Sequence, residues 1–132
     1  MIRVVLDTNI LISAVFWRGR PYEILKHGIG GKYTLIASVE ILEELIDRLK
    51  NKFGFPDMEL LMYVDILLSH VHLVQKTSAV TACRDPKDNK ILETALDGNA
   101  HYIVTGDPDL LVLKQFQGIS IMTASEFLES FH

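Results

Sequence analysis

The chain of 132 residues has a single cysteine, Cys83, so no internal disulfide can form. The fold must therefore be held by its core, and one unpaired thiol fits a reducing compartment. Four prolines and eight glycines exclude a collagen-like or low-complexity chain. No apolar run is long enough to cross a bilayer. The apolar N-terminal run is interrupted by Asp7-Thr8-Asn9 and has no charged leader, so neither a signal peptide nor a membrane association is expected. The cytoplasm is the expected location. Positive charge is also short, with 13 Lys and Arg against 17 Asp and Glu, a net charge of −4. That argues against a broad non-specific DNA-binding surface, although acidic residues gathered around cations reverse their local sign. No internal repeat, linker or biased segment divides the chain, so one domain spanning 1–132 is expected.

What is present is an alternation of strand and helix patterns. The β-branched run Ile2 to Leu6 reads as a buried strand ending at Asp7. Helices are predicted from Asn9 to Phe16 and from Pro21, with Gly28 placed to end the second. Tyr33 to Ala37 is a strand. Ser38 caps a long helix reaching about Lys52, with Val39, Leu42, Leu45, Ile46 and Leu49 in one apolar stripe. A helix from Phe55-Pro56-Asp57 to about Ser69 precedes a strand at Val71 to Val74. Asp85-Pro86 opens a further helix closed by Gly98-Asn99. The strand Tyr102 to Thr105, a short helix from Asp107-Pro108, the strand Ile119 to Met122 and a terminal helix with the capping-box pair Thr123 and Glu126 complete the chain. The pattern implies an α/β fold, a three-layer α/β/α sandwich around a central parallel sheet.

Ligands of such sheets bind beyond the carboxyl ends of the strands, where Asp7 and Asp107 both fall. Each has an ordinary structural reading as well, since Asp, Thr and Asn all cap helices. Asp85 before Pro86 reads best as such a cap. Asp88 would then lie three residues into the helix, where a carboxylate also complements the helix dipole. Gly106 leaves room for a close approach, Thr105 is placed to orient Asp107, and Asp109 complements the dipole. Asn9 and Thr8 are placed to orient Asp7 or its metal-bound waters. On the long helix Glu40, Glu43, Glu44 and Asp47 all avoid the apolar stripe, and periodicity does not choose among them. Two other patterns carry less. Gly28 to Lys32 imitates a phosphate-binding loop, but Tyr33 follows the lysine and a strand comes next, so it reads as a turn. His70 and His72 would share a strand face without a third ligand nearby.

Four strings in order, VVLDTNILISAVF at 4–16, ILEEL at 41–45, DPKDNKILETAL at 85–96 and IVTGDPDLL at 103–111, resemble the PIN-domain family along essentially the whole chain, in particular its prokaryotic toxin-like branch related to VapC ribonucleases. The resemblance maps the family's acidic positions onto Asp7, Glu44, Asp88 and Asp107, with Asn9, Thr105 and Asp109 in support. It implies a metal-dependent endoribonuclease acting on single-stranded RNA, a toxin held inactive by a small antitoxin protein, and a homodimer. Convergent carboxylates call for cations: two at about 4 Å repel by roughly 4 kcal/mol at an effective dielectric of 20. All-oxygen ligands suit one or two Mg²⁺ or Mn²⁺ ions. Arg18, Arg20 and Lys114 are candidate RNA contacts, with Phe16 or Trp17 available for stacking, against the plainer reading of a solvated loop. The alternatives are a haloacid-dehalogenase-like phosphatase, whose second Asp would stand where this chain has Asn9, and a non-catalytic binding module of the same fold.

Overall fold

The computed structural model describes residues 1–131. Strands β1 (Arg3–Leu6), β2 (Thr34–Ser38), β3 (Val71–Val74), β4 (Tyr102–Val104), β5 (Gln115–Phe116) and β6 (Ile119–Met122) form one sheet in the order β3-β2-β1-β4-β6-β5. Every pairing is parallel except that of β5 with β6. Helices α1 (Thr8–Phe16), α2 (Arg20–Ile29), α3 (Val39–Asp47), α4 (Asp57–His70), α5 (Asn89–Asp97), α6 (Pro108–Leu111) and α7 (Ala124–Ser130) flank it. Val4, Val5 and Ile103, in the two central strands, are fully buried. A strand covered on both faces needs apolar residues at successive positions, so β1 is a continuous run rather than an alternation.

Chain direction decides where a site can form. From β1 the chain steps outward to β2 and β3, then returns to the other side of β1 to build β4. Adjacent crossovers leave in opposite directions between β1 and β4, which opens a crevice at their carboxyl ends. Asp7 follows β1 directly and Thr105 follows β4 directly.

Several local expectations hold. The Ser38 hydroxyl accepts from the Ile41 N–H at 3.4 Å, and Thr123 and Glu126 cap α7 reciprocally. Four details differ. Gly28 lies inside α2, which runs on to Ile29, and a Cβ there would come within 2.6 Å of the Leu35 side chain. This glycine permits close packing of α2 on β2. The predicted long helix changes at Asp47 into a π-helical turn, Arg48–Lys52, that keeps Leu49 fully buried. His70 ends α4 with its ring nitrogen on the Ile66 carbonyl at 2.8 Å, so it shares no strand face with His72. The short antiparallel β5 was not legible, since two residues carry no periodicity.

Candidate active site

The backbone ladder itself places Asp7. Its N–H donates to the Val104 carbonyl at 3.0 Å, extending the β1–β4 pairing one step past the end of β1. The carboxylate is only 5% exposed. The Thr105 hydroxyl donates to Asp7 Oδ2 at 2.6 Å and accepts from the Asp107 N–H at 3.0 Å. Thr105 therefore aims the carboxylate of Asp7 while tying down the backbone of Asp107. Burial pushes the Asp7 carboxyl above its ordinary range. The Thr105 hydrogen bond opposes that rise, and the charges of Asp107 and Glu44 reinforce it.

Asp88 reaches the same crevice by a route different from the expected one. The Asp85-Pro86 signal opens a 3₁₀ turn, Pro86–Asp88, and only then α5. Asp88 thus sits at the junction of the two, not three residues into an α-helix, and its side chain makes no cap hydrogen bond. Tight 3₁₀ turns are common at helix starts. Here the turn leaves Asp88 Oδ2 buried without a hydrogen-bond partner. Burial, then the adjoining Asp107, then the charges of Asp7 and Asp85 raise the Asp88 carboxyl to about 7. Asp107 both caps α6, accepting from the Asp109 N–H at 2.9 Å, and stands beside Asp88.

This shift has a measurable consequence. A carboxyl with a folded value of about 7 and an ordinary value of 3.8 keeps its proton in the folded chain between those limits. The stability it contributes is complete below about pH 4 and is lost as pH rises through about 7. Without divalent ions, the melting temperature should fall by several degrees from pH 5 to pH 8, where a loss of about 1 kcal/mol corresponds to about 4 °C. The Asp88→Asn variant should show a flatter profile. Equal slopes for the two proteins in thermal melts would exclude Asp88 as the origin.

Glu44 is the one acid of its helix that faces the crevice region. Its Oε2 accepts from Lys90 Nζ at 2.7 Å and pairs with Arg48 Nη2 at 3.2 Å. Burial would raise this carboxyl, but Lys90 first, then the Thr8 hydroxyl and the charge of Arg48, hold it below its ordinary value. Glu43 and Asp47 are exposed, and Asp47 accepts from the Asn51 side chain. Asn9, expected to orient Asp7 or its metal-bound waters, accepts from Arg48 Nη1 at 2.7 Å.

Two aspartates flank this group. One carboxylate oxygen from each of Asp85, Asp88 and Asp109 falls within 4.8 Å of the others. Asp85 does cap the 3₁₀ turn, accepting from the Lys87 N–H at 3.1 Å, as its place before Pro86 suggests. Its proximity to Asp109 had no signal in the sequence, because it depends on the turn after β4 meeting the turn before α5. Asp109 is paired with Arg84 at 2.9 Å. Asp7, Asp88 and Asp107 form no ion pair among the described residues. Among the described residues, none of the basic residues expected to contact substrate pairs with these acids. Arg18 and Arg20 lie beyond the far end of α1, about 13 Å along its axis from Asp7, and Arg18 stacks over Tyr22 at 5.7 Å. Lys114 is exposed in the turn before β5, its carbonyl accepting from the Ile121 N–H. Trp17 is exposed, while Phe16 packs against Phe53 and Phe55.

Residues 3–109 match the family model described as PIN domain. The chain is 30% identical over 144 residues to the uncharacterized protein MJ1680 of Methanocaldococcus jannaschii, covering 98% of this chain and 92% of the relative. Its fold is similar to chains in two solved complexes. One is VapBC2 from Rickettsia felis bound to a DNA fragment from their promoter (TM-score 0.65, 17% identity, 92% of this chain and 98% of the other). The other is DNA-bound VapBC from Salmonella typhimurium (TM-score 0.63, 17% identity, 94% and 99%). A chain of FitAcB from Neisseria gonorrhoeae is more distant, with a TM-score of 0.51, 14% identity and coverage of 92% and 98%. With its sheet order, its crevice acids and a family match over residues 3–109, the chain belongs to the PIN-domain family.

Proposed function

We propose that this chain is a metal-dependent endoribonuclease that hydrolyses phosphodiester bonds of single-stranded RNA, and that it is the toxin of a toxin–antitoxin pair. The observation that carries this reading is the convergence of Asp7, Asp88 and Asp107 at the β1–β4 crevice without a cation to balance them. Uncompensated buried carboxylates are costly, and a divalent cation removes the cost. The donor set fits one: the four acids offer only oxygen atoms, one buried oxygen of Asp88 has no hydrogen-bond partner, and hard ions such as Mg²⁺ or Mn²⁺ prefer such ligands. In this reading Asp7, Asp88, Asp107 and Glu44 hold one or two ions directly or through water, and Asp109 supports them.

The chemistry supplied at such a site is activation of water and neutralisation of charge at the scissile phosphate. The chain's own residues set the geometry for it. Thr105 keeps Asp7 from rotating away, and the α6 cap keeps Asp107 beside Asp88. A nucleophile from the protein is not required. The Cys83 thiol is buried, and that burial together with the nearby carboxylates raises its pKa, which disfavours the reactive thiolate. The phosphatase alternative loses support because Asn9, in place of a second acid, is turned toward Arg48. The likeness to chains of VapBC complexes supports a small antitoxin as partner. A homodimer acting in the cytoplasm completes the proposal, and no helix among the described residues is long and apolar enough to cross a membrane.

The test is incubation with a mixed single-stranded RNA ladder and Mg²⁺ or Mn²⁺, with and without EDTA. Endonucleolytic cleavage that EDTA stops is the expected result. An intact ladder, with phosphate trapped covalently on Asp7 from a phosphomonoester, would favour the phosphatase.

A further inference from the structure

Two basic groups, Lys90 and Arg48, meet on Glu44, an acid whose charge acts on Asp7. We infer that Arg48 and Lys90 form a clamp for an RNA phosphate beside the Asp7–Asp88–Asp107 crevice, with Glu44 and Asn9 holding the two cations in position. This rests on the nuclease reading above and names the substrate contacts that reading lacks.

Both cations converge on one oxygen, Glu44 Oε2, at 2.7 and 3.2 Å, so they lie within about 6 Å of each other and repel. An isolated surface ion pair has one cation for each carboxylate. Here two cations share one acid, which leaves an excess positive charge next to three carboxylates that have none. The site is thus polarised, with a cation-seeking crevice on one side and an anion-seeking pair on the other. A phosphodiester strand needs both: one phosphate over the crevice and a neighbouring phosphate held by cationic donors.

The remaining geometry agrees. Arg48 uses one nitrogen on Glu44 and another on Asn9 at 2.7 Å, which fixes the plane of its guanidinium and leaves other N–H groups free to donate. The side chains of Arg48 and Lys90 are 35% and 23% exposed, open on one side to an incoming ligand. Each is also tied closely in sequence to the crevice acids. Lys90 follows Asp88 by two residues, and Asn9, which anchors Arg48, follows Asp7 by two. The π-helical turn begins at Arg48, and such turns are frequent at functional sites.

The test is an anisotropy titration of fluorescein-labelled single-stranded oligouridine in EDTA, where no cleavage occurs, between 50 and 200 mM salt. Wild type, Arg48→Gln, Lys90→Gln, the Lys32→Gln control and the Glu44→Gln/Lys90→Gln double variant are compared after melts establish that each is folded. Arg48→Gln and Lys90→Gln should each weaken binding about tenfold and reduce the slope of log affinity on log salt by about 1, with Lys32→Gln unchanged. The double variant separates the two roles open to Lys90. If Lys90 only neutralises Glu44, removing both restores wild-type binding and the clamp is wrong. If Lys90 contacts phosphate, the double variant stays weak. Wild-type protein that cleaves RNA, with variants that bind like wild type, would overturn the clamp alone. Wild-type protein that neither binds nor cleaves RNA would overturn the nuclease reading with it.

Discussion

Asp7→Asn should abolish RNA cleavage while the protein, free of divalent ions, melts at the wild-type temperature or above it. The side chain is buried, and its Oδ2 accepts from Thr105 at 2.6 Å. Asparagine matches aspartate in size and keeps an acceptor for that hydroxyl, so the turn after β1 survives. What disappears is a buried negative charge that burial, Asp107 and Glu44 all disfavour. The fold therefore gains or breaks even, while the proposed ion site loses a ligand. Residues that merely support metal ligands typically cost 10- to 100-fold when replaced, so loss of a ligand should cost on the order of 100-fold or more. Cleavage assays and melts on one preparation decide it. A variant that cleaves at near wild-type rate removes Asp7 from the chemistry, and one that fails to fold assigns it a structural role instead.

The second large effect concerns the aspartates at the starts of α5 and α6. Asp107 accepts from the Asp109 N–H, and Asp85 accepts from the Lys87 N–H, so both are caps by geometry. Asparagine caps about as well as aspartate, so neither Asp107→Asn nor Asp85→Asn should lose the fold. Asp88 makes no cap bond and carries a carboxyl raised to about 7, so Asp88→Asn removes a destabilising charge. If the ion is held in the crevice, Asp88→Asn and Asp107→Asn should lose most cleavage and bind Mn²⁺ weakly by calorimetry. Asp85→Asn should remain within a few-fold of wild type. The structure makes this comparison sharper than a capping control, because Asp85 also lies within reach of Asp88 and Asp109. An inactive Asp85→Asn beside an active Asp107→Asn would move the ion to the Asp85–Asp88–Asp109 side.

Elements and their caps were legible because they depend on neighbours in sequence. The β-branched run Ile2 to Leu6 read as a buried strand, and the structure forms it over Arg3–Leu6; Ser38 and Thr123 announced their helices through short-range donors and acceptors. The alternation of strands and helices likewise implied a parallel sheet, and Asp7 and Asp107 stood out by following strands. The same local logic failed where a contact crossed the fold. Gly28 reads as a helix stop until β2 packs against it, and Asn9 reads as a partner of Asp7 until Arg48, 39 residues later, takes its oxygen.

The residues of the crevice illustrate the division most clearly. Composition and spacing determined that this chain builds an α/β sheet with acids at strand ends, since hydrophobic periodicity and capping act over a few residues. Periodicity left open which acid of α3 looks inward; the family resemblance named Glu44, and the tertiary structure supplies the physical reason. Glu40, Glu43, Glu44 and Asp47 are equivalent by periodicity, and Glu44 is singled out by Lys90, 46 residues away on α5. It also decided that Thr105 would serve Asp7 across 98 residues. Such pairings depend on sheet order and on the register of β1 against β4, because a one-residue slip would turn each side chain to the opposite face. Strand order is set by how every crossover packs at once, a global property that no window of the sequence contains.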